Sequence, residues 1–120
     1  MNRAALFGST GVTLGAFGAH LLKTTLEARN STASWKTAVN YQLLHAVAIL
    51  ALSTASTTTT TDNKDPPKNY STTINLWTAG IVLFSGSIYG LSLGGPRILG
   101  PVTPLGGLLL IGGWLALLKQ

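Results

Sequence analysis

Long stretches without a charged side chain constrain this chain more than any other feature of its sequence. Residues 4–22 contain no Asp, Glu, Lys or Arg over 19 positions. At 1.5 Å of rise per residue, a helix of that length reaches roughly 28 Å, enough to cross the hydrocarbon core of a bilayer. Residues 74–93 and 102–118 form similar stretches, and residues 37–55 form a weaker one with polar side chains in its first half. The sequence therefore predicts four membrane-spanning helices.

The composition agrees with a membrane location. Only 9% of the 120 residues are charged, whereas a typical soluble domain has about 25%. The net charge is +5, but the basic residues are single and scattered. They do not form the basic stripe that nucleic-acid binding needs, so no nucleic-acid partner is predicted. The chain has no cysteine, which excludes disulfides, thiolate metal sites and cysteine nucleophiles.

We predict one domain over residues 1–120, with an all-α fold: an integral membrane four-helix bundle. Four spans place both termini on the same side of the membrane, together with the loop at 53–73. Because that loop contains a threonine run and a double proline, it is predicted to be irregular and mobile. On the opposite side, Glu27 and Arg97 are candidates for an ion pair between two short connections, with simple solvation of both as the alternative.

Small residues recur along one face of the first predicted span. Ala4, Gly8, Gly11, Gly15 and Gly18 follow one another at spacings of 4, 3, 4 and 3, which places them in one stripe on a helix. Helices in lipid associate through close packing, and small residues let their backbones approach. We therefore predict helix packing along this stripe, either within the chain or with a foreign helix. The same role is predicted for glycines of the later spans: Gly86, Gly90, Gly94, Gly106 and Gly107.

The second predicted span contains the polar groups that most resemble a site. Tyr41 and Gln42 precede His45 by four and three residues, so a helix places all three on one face. Because a buried imidazole needs hydrogen-bond partners, we predict a polar cluster of Tyr41, Gln42, His45, Ser85 and Tyr89. His45 is then a hydrogen-bonded packing residue or, alternatively, an axial ligand to haem or chlorophyll. His20, at the end of the first span, is a second candidate ligand, although its different depth disfavours a bis-histidine haem.

Several classes of chemistry lack their residues in this sequence. The four predicted spans contain none of the charged groups that transporters and proton relays place within the membrane. Two histidines without a nearby cysteine or acid make a poor zinc site and lack the carboxylate of a hydrolytic triad. We therefore predict no catalytic residue, no metal and no required cofactor. Trp35, Trp77 and Trp114 lie near span ends, which predicts anchors at the membrane interface.

Four blocks of sequence carry a family resemblance: LGAFGAHLL, YQLLHAVAILAL, VLFSGSIYGL and VTPLGGLLLIGGWLAL. In this order they resemble the small membrane proteins grouped as domain of unknown function 423, the transmembrane protein 256-like proteins. The resemblance covers all four spans and fails only in the loops at 24–34 and 53–73. It implies a membrane bundle of this length, found in bacterial membranes and in mitochondria, and it implies no reaction. The family pattern falls on Gly15, Gly18, His20, Tyr41, His45, Ser85, Gly86, Tyr89, Pro104 and Gly106.

The missing chemistry and the small-residue faces favour a non-enzymatic accessory or structural subunit of a larger membrane complex. Its partners would be the lipid bilayer and transmembrane helices of other proteins. The alternative is a pigment-, haem- or lipid-binding membrane protein that uses His45. A second alternative, a small transporter or channel acting as an oligomer, is disfavoured by the absence of intramembrane charge. The Thr-rich loop suggests a eukaryotic protein, so the expected location is an organelle inner membrane, mitochondrial or thylakoid.

Overall fold

The fold is a set of helices without strands in the parts of the chain that the computed structural model describes, residues 2–57 and 69–119. The helices, in chain order, are α1 (Asn2–Ala19), α2 (Lys23–Ala28), α3 (Thr32–Thr57), α4 (Ser71–Ser92) and α5 (Leu99–Ala116), and a single 3₁₀ turn follows (Leu117–Lys119). The four long helices have the length that a membrane span requires, roughly 27 Å or more at 1.5 Å per residue.

The glycines of α1 are used for packing against α3. Three glycines of α1 each lie under a side chain of α3: Gly11 under Leu43, Gly15 under Val39 and Gly18 under Trp35. Residue numbers rise along α1 as they fall along α3, so the two helices run antiparallel with their backbones close together. The predicted packing face is therefore present over these three positions, and its partner is a helix of the same chain.

The pair α4 and α5 is packed in the same way. Three glycines bring the two helices together, again in opposite chain directions: Gly113 against Trp77, Gly80 against Leu110 and Gly106 against the backbone of α4 at Leu83 and Phe84. Helices α3 and α4 join the two pairs, where the Ser85 hydroxyl donates to the carbonyl of Ala38 over 2.8 Å. The apolar core lies between α1, α3, α4 and α5 and consists of Ala4, Ile49, Trp77, Ile81 and Leu110.

Contacts at the two ends fix how the helices are aligned. At one end, Arg3 of α1 donates to the Asn75 side chain near the start of α4 over 2.6 Å, and Thr72 and Lys119 line one surface cavity. At the other end, the Arg29 guanidinium lies against Gly94. Gly94 follows α4 with a φ of +89°, a left-handed conformation that glycine adopts without strain and that commonly ends helices.

Polar side chains are buried within the protein while many large apolar side chains lie on its outside. Gln42 and His45 are only 4% and 3% exposed, whereas Val12 and Leu108 are both 63% exposed. Lipid tails solvate apolar side chains but give polar groups no partner, so this arrangement suits a membrane-embedded chain. Within residues 2–57 and 69–119, three helices are long and apolar enough to cross a membrane: Thr32–Ala55, Ser71–Ser92 and Leu99–Lys119.

The ranking of the predicted spans is reversed in one respect. The segment 37–55, the weakest span in the sequence, belongs to one of these three helices, whereas the segment 4–22 does not. The physical reason lies in the helix ends. α1 has 18 residues and includes the polar Asn2 and Arg3, while the chain turns at residues 20–22 instead of continuing the helix.

The other helix boundaries also differ from the predicted ones. The connection at 23–36, between the first two predicted spans, contains α2 and the first turn of α3, because Leu26 is buried against Trp35 and Val39. α5 begins at Leu99, before the predicted span at 102–118, so Pro104 lies inside the helix. The ends of the predicted loop 53–73 are helical, since α3 extends to Thr57 and α4 begins at Ser71. Residues 58–68, where the mobile loop was predicted, lie outside the described residues.

Candidate functional site

Gln42 joins three helices through its side-chain amide. Its Nε2 donates to the carbonyl of Phe7 over 2.9 Å and to the Thr10 hydroxyl over 2.8 Å, both on α1. Its Oε1 accepts from the Tyr89 hydroxyl of α4 over 2.7 Å. The amide therefore uses both its donors and its acceptor. In lipid, where water does not compete, such bonds specify which helices lie side by side.

His45 is bonded through both nitrogens of its ring. Nδ1 lies 2.7 Å from the carbonyl of Tyr41, one turn earlier on α3, and Nε2 accepts from the Trp114 indole of α5 over 3.0 Å. A carbonyl only accepts and an indole only donates, so the two bonds together require the neutral ring with its proton on Nδ1. The ring also has edge contacts with Trp77 and Trp114, at centroid distances of 5.6 and 5.9 Å.

The predicted polar cluster divides into separate groups of hydrogen bonds. Gln42 and Tyr89 are bonded to each other, whereas Ser85 bonds to Ala38 and His45 bonds towards Trp114. Tyr41 is 44% exposed, and its ring stacks on Phe84 at 4.9 Å. The rings of Tyr41 and His45 lie near each other on α3, with centroids 6.3 Å apart, but Tyr41 is exposed whereas Gln42 and His45 are buried. Tyr41 contributes its backbone carbonyl to His45 instead of its hydroxyl.

Two of the three tryptophans are buried and hydrogen-bonded to a neighbouring helix. Trp35 and Trp77 are buried in the protein, so their prediction as interfacial anchors is wrong. Trp35 donates to the carbonyl of Leu14 over 2.8 Å, and Trp77 donates to the carbonyl of Leu110 over 3.2 Å. Each accepting carbonyl lies one turn before the glycine that the indole covers, Gly18 or Gly113. A glycine without a Cβ exposes the helix backbone, which lets the indole reach that carbonyl.

The remaining predicted positions are not gathered into one site. His20 lies in the exposed turn after α1, so it and His45 are at different places on the molecule. Glu27 and Arg97 are both exposed, and their ion pair stays a prediction; the cation that lies against the α4–α5 connection is Arg29. In residues 2–57 and 69–119, no three His, Cys, Asp or Glu side chains come together as metal ligands.

The predicted packing glycines divide into used and unused positions. Gly90 lies against Leu99, and Gly107 makes only ordinary contact with Phe84. Gly8 and Gly86 face open space, with nothing in the described residues within 4 Å of an added Cβ. Packing among the described residues therefore does not account for Gly8 and Gly86.

The geometry of His45 makes a prediction about cofactor binding. We expect purified wild-type protein to show no His45-dependent Soret shift on titration with haemin, because Trp114 occupies the nitrogen that a haem iron would need. Trp114→Phe keeps an aromatic ring but removes the donor and frees Nε2, so it is the matched control. Absorption spectra of wild type, Trp114→Phe and His45→Leu make the comparison. A haemin-dependent band in the wild-type spectrum that His45→Leu abolishes would contradict this expectation and show that His45 ligates haem. Without that result, haem ligation by His45 stays a prediction.

Comparison with known proteins places these features in context. A family model described as "Protein of unknown function (DUF423)" matches residues 14–107. A UPF0382 membrane protein of Staphylococcus haemolyticus is 41% identical, covering 95% of this chain and 87% of the relative. One from Schizosaccharomyces pombe is 38% identical, over 98% and 96%. The UPF0382 inner membrane protein YgdD of Escherichia coli is 36% identical, over 96% and 82%. No solved structure matches.

Proposed function

Because the chain belongs to the DUF423 family, whose relatives are named for a membrane location, we propose that it is a non-enzymatic accessory or structural subunit of a larger membrane complex. The family membership confirms the resemblance inferred from the four sequence blocks. The membrane location follows from these relatives and from the apolar helices. The organelle in which this chain resides stays a prediction.

One observation carries the proposal: a groove between α1 and α3 that no described part of the chain fills. Its volume is about 480 Å³. Small side chains form its floor, and Val12, Val47 and Leu50 are among the apolar side chains that border it. Gly8 lies in this groove, whereas Gly11, Gly15 and Gly18 on the same helix are covered by α3. We assign the groove to a transmembrane helix of another protein, because small residues let a second backbone approach closely.

The arrangement in the membrane is part of the proposal. Four spans, α1, α3, α4 and α5, would form a bundle with both termini on one side. The antiparallel pairings of α1 with α3 and of α4 with α5 support it, as does the bond between Arg3 and Asn75. In this arrangement the polar bonds of Gln42 and His45 join the helices to one another, which favours a structural role.

Site-specific photo-cross-linking tests the proposed partner helix. Val47 is 65% exposed and borders the groove, so a benzophenone side chain at this position should give one defined protein adduct in native membranes. The matched control is the same side chain at Leu108, which is 63% exposed on α5 and should give no protein adduct. Gly8→Leu should abolish the Val47 adduct by filling the groove. The same adducts at both positions, or lipid adducts alone, would contradict the proposal.

A further inference from the structure

A second cavity lies at the opposite end of α1, enclosed by the last turns of α1, by α2 and by the first turns of α3. Its volume is about 310 Å³, at the lower limit of small-molecule sites, which span roughly 300–1,000 Å³. The helices that form it are in contact with one another, since Leu26 of α2 is buried against Trp35 and Val39 of α3. The cavity is therefore a built feature of the fold and not a gap between unconnected segments.

The wall of this cavity is divided into a polar and an apolar part. Its charged lining residues are Lys23 and Glu27 of α2 and Lys36 of α3. The charged side chains in the wall therefore sum to one positive charge. Within residues 2–57 and 69–119, neither lysine side chain is held by an ion pair or a side-chain hydrogen bond, which leaves both ammonium groups able to bind an anion.

The apolar part of the wall comes from all three helices, α1, α2 and α3. It is formed by Gly18, Ala19, Leu26 and Val39, together with the Trp35 ring that lies over Gly18. A free phosphate would use only the lysines, whereas a phosphate with an attached hydrocarbon chain would use both parts of the wall. The cavity lies where α1 ends and its apolar stretch gives way to the turn at 20–22, a position typical of the headgroup level, where lysines extend towards the interface.

We propose that this cavity binds the headgroup phosphate and upper acyl chain of an anionic phospholipid, held by Lys23 and Lys36. The chemistry shared by the possible ligands is a phosphate anion, and the phospholipid is favoured because it also fills the apolar wall. The volume accommodates a headgroup and the first carbons of one chain, with the remaining hydrocarbon in the bilayer. This site is separate from the groove assigned to a partner helix and does not depend on the proposed function.

The experiment measures lipid retention by the full chain in a mild non-ionic detergent, using native mass spectrometry and thermal unfolding. Phosphatidylglycerol, phosphatidylcholine and inorganic phosphate are added separately. We expect one phosphatidylglycerol molecule to remain bound and to raise the melting temperature. Phosphatidylcholine should be retained at least tenfold more weakly, because its choline group opposes the lysines. Inorganic phosphate alone should have no effect, and an equal shift with it would overturn the lipid assignment.

Three variants distinguish lipid binding in the cavity from non-specific attraction to the surface charge. Lys23→Gln with Lys36→Gln should weaken phosphatidylglycerol retention at least tenfold. Arg97→Gln removes an exposed charge outside the cavity wall and should leave retention unchanged. Ala19→Trp fills the apolar wall at an exposed helix end and should reduce retention although both lysines remain. Retention that survives Ala19→Trp, or that falls equally in Arg97→Gln, would show non-specific attraction and overturn the proposal.

Discussion

Gly106→Ala should destabilise the protein by about 2 kcal/mol, an effect typical of overpacking in a core. A Cβ at this position would lie 2.8 Å from the carbonyl carbon of Leu83 and against the backbone of Phe84. Backbone atoms within a helix cannot rotate away as a flexible side chain can, so α4 and α5 would have to separate. This loss should exceed the gain of up to about 1 kcal/mol from replacing glycine in a helix.

Gly107→Ala is the matched control for this experiment, since it makes the same chemical change one residue later. Its Cβ would lie 3.7 Å from the nearest atom of the Phe84 ring, an ordinary contact. We expect this variant to be as stable as wild type or slightly more stable. Denaturant titration in detergent micelles, followed by helical circular dichroism, gives the two free energies of unfolding. Equal stability of the two variants would mean that α4 and α5 are not packed as described.

The sequence predicted the main helices because their cause is local. A long stretch without charged side chains can be recognised as a membrane span from its own sequence, whichever other segments it contacts. α3, α4 and α5 were found in this way. The glycine stripe of α1 likewise gave the correct face over Gly11, Gly15 and Gly18. It could not name the helix that covers this face, because any apolar helix satisfies the same pattern. The structure supplies α3 as the partner and leaves Gly8 uncovered.

The polar bonds could not be predicted because they join residues that are distant in the sequence. Trp114 and His45 are 69 residues apart, and nothing in the spacing on α3 indicates an indole partner from α5. Burial of Trp35 and Trp77 was missed for a related reason. A tryptophan near a span end suits the membrane interface, but it also fits a glycine on a neighbouring helix. The sequence did contain a signal for the burial of Trp35 and Trp77, since helices whose backbone is exposed at glycines need large side chains opposite them.

Gln42→Met should destabilise the protein by about 2 kcal/mol. Methionine has nearly the shape of glutamine but makes none of the three bonds to Phe7, Thr10 and Tyr89. Individual side-chain hydrogen bonds in membrane proteins contribute about 0.6 kcal/mol on average and up to about 1.7 kcal/mol. The Tyr89 hydroxyl would also lose its acceptor in a setting without water, which adds to the cost. The same denaturant titration measures the loss.

A double-mutant cycle with Tyr89→Phe tests whether Gln42 acts through the bonds described. Tyr89→Phe removes one hydroxyl and retains the ring contact with Trp35, whose centroid lies 4.7 Å away, so it should cost about 0.6 kcal/mol. Once Gln42 is methionine, the hydroxyl has no acceptor on this side chain, and its removal should cost nothing or stabilise the protein. The two losses should therefore sum to more than the loss in the double variant. Additive losses would show that Gln42 and Tyr89 act independently, and that α3 and α4 are held in register by apolar packing and the Ser85 bond alone.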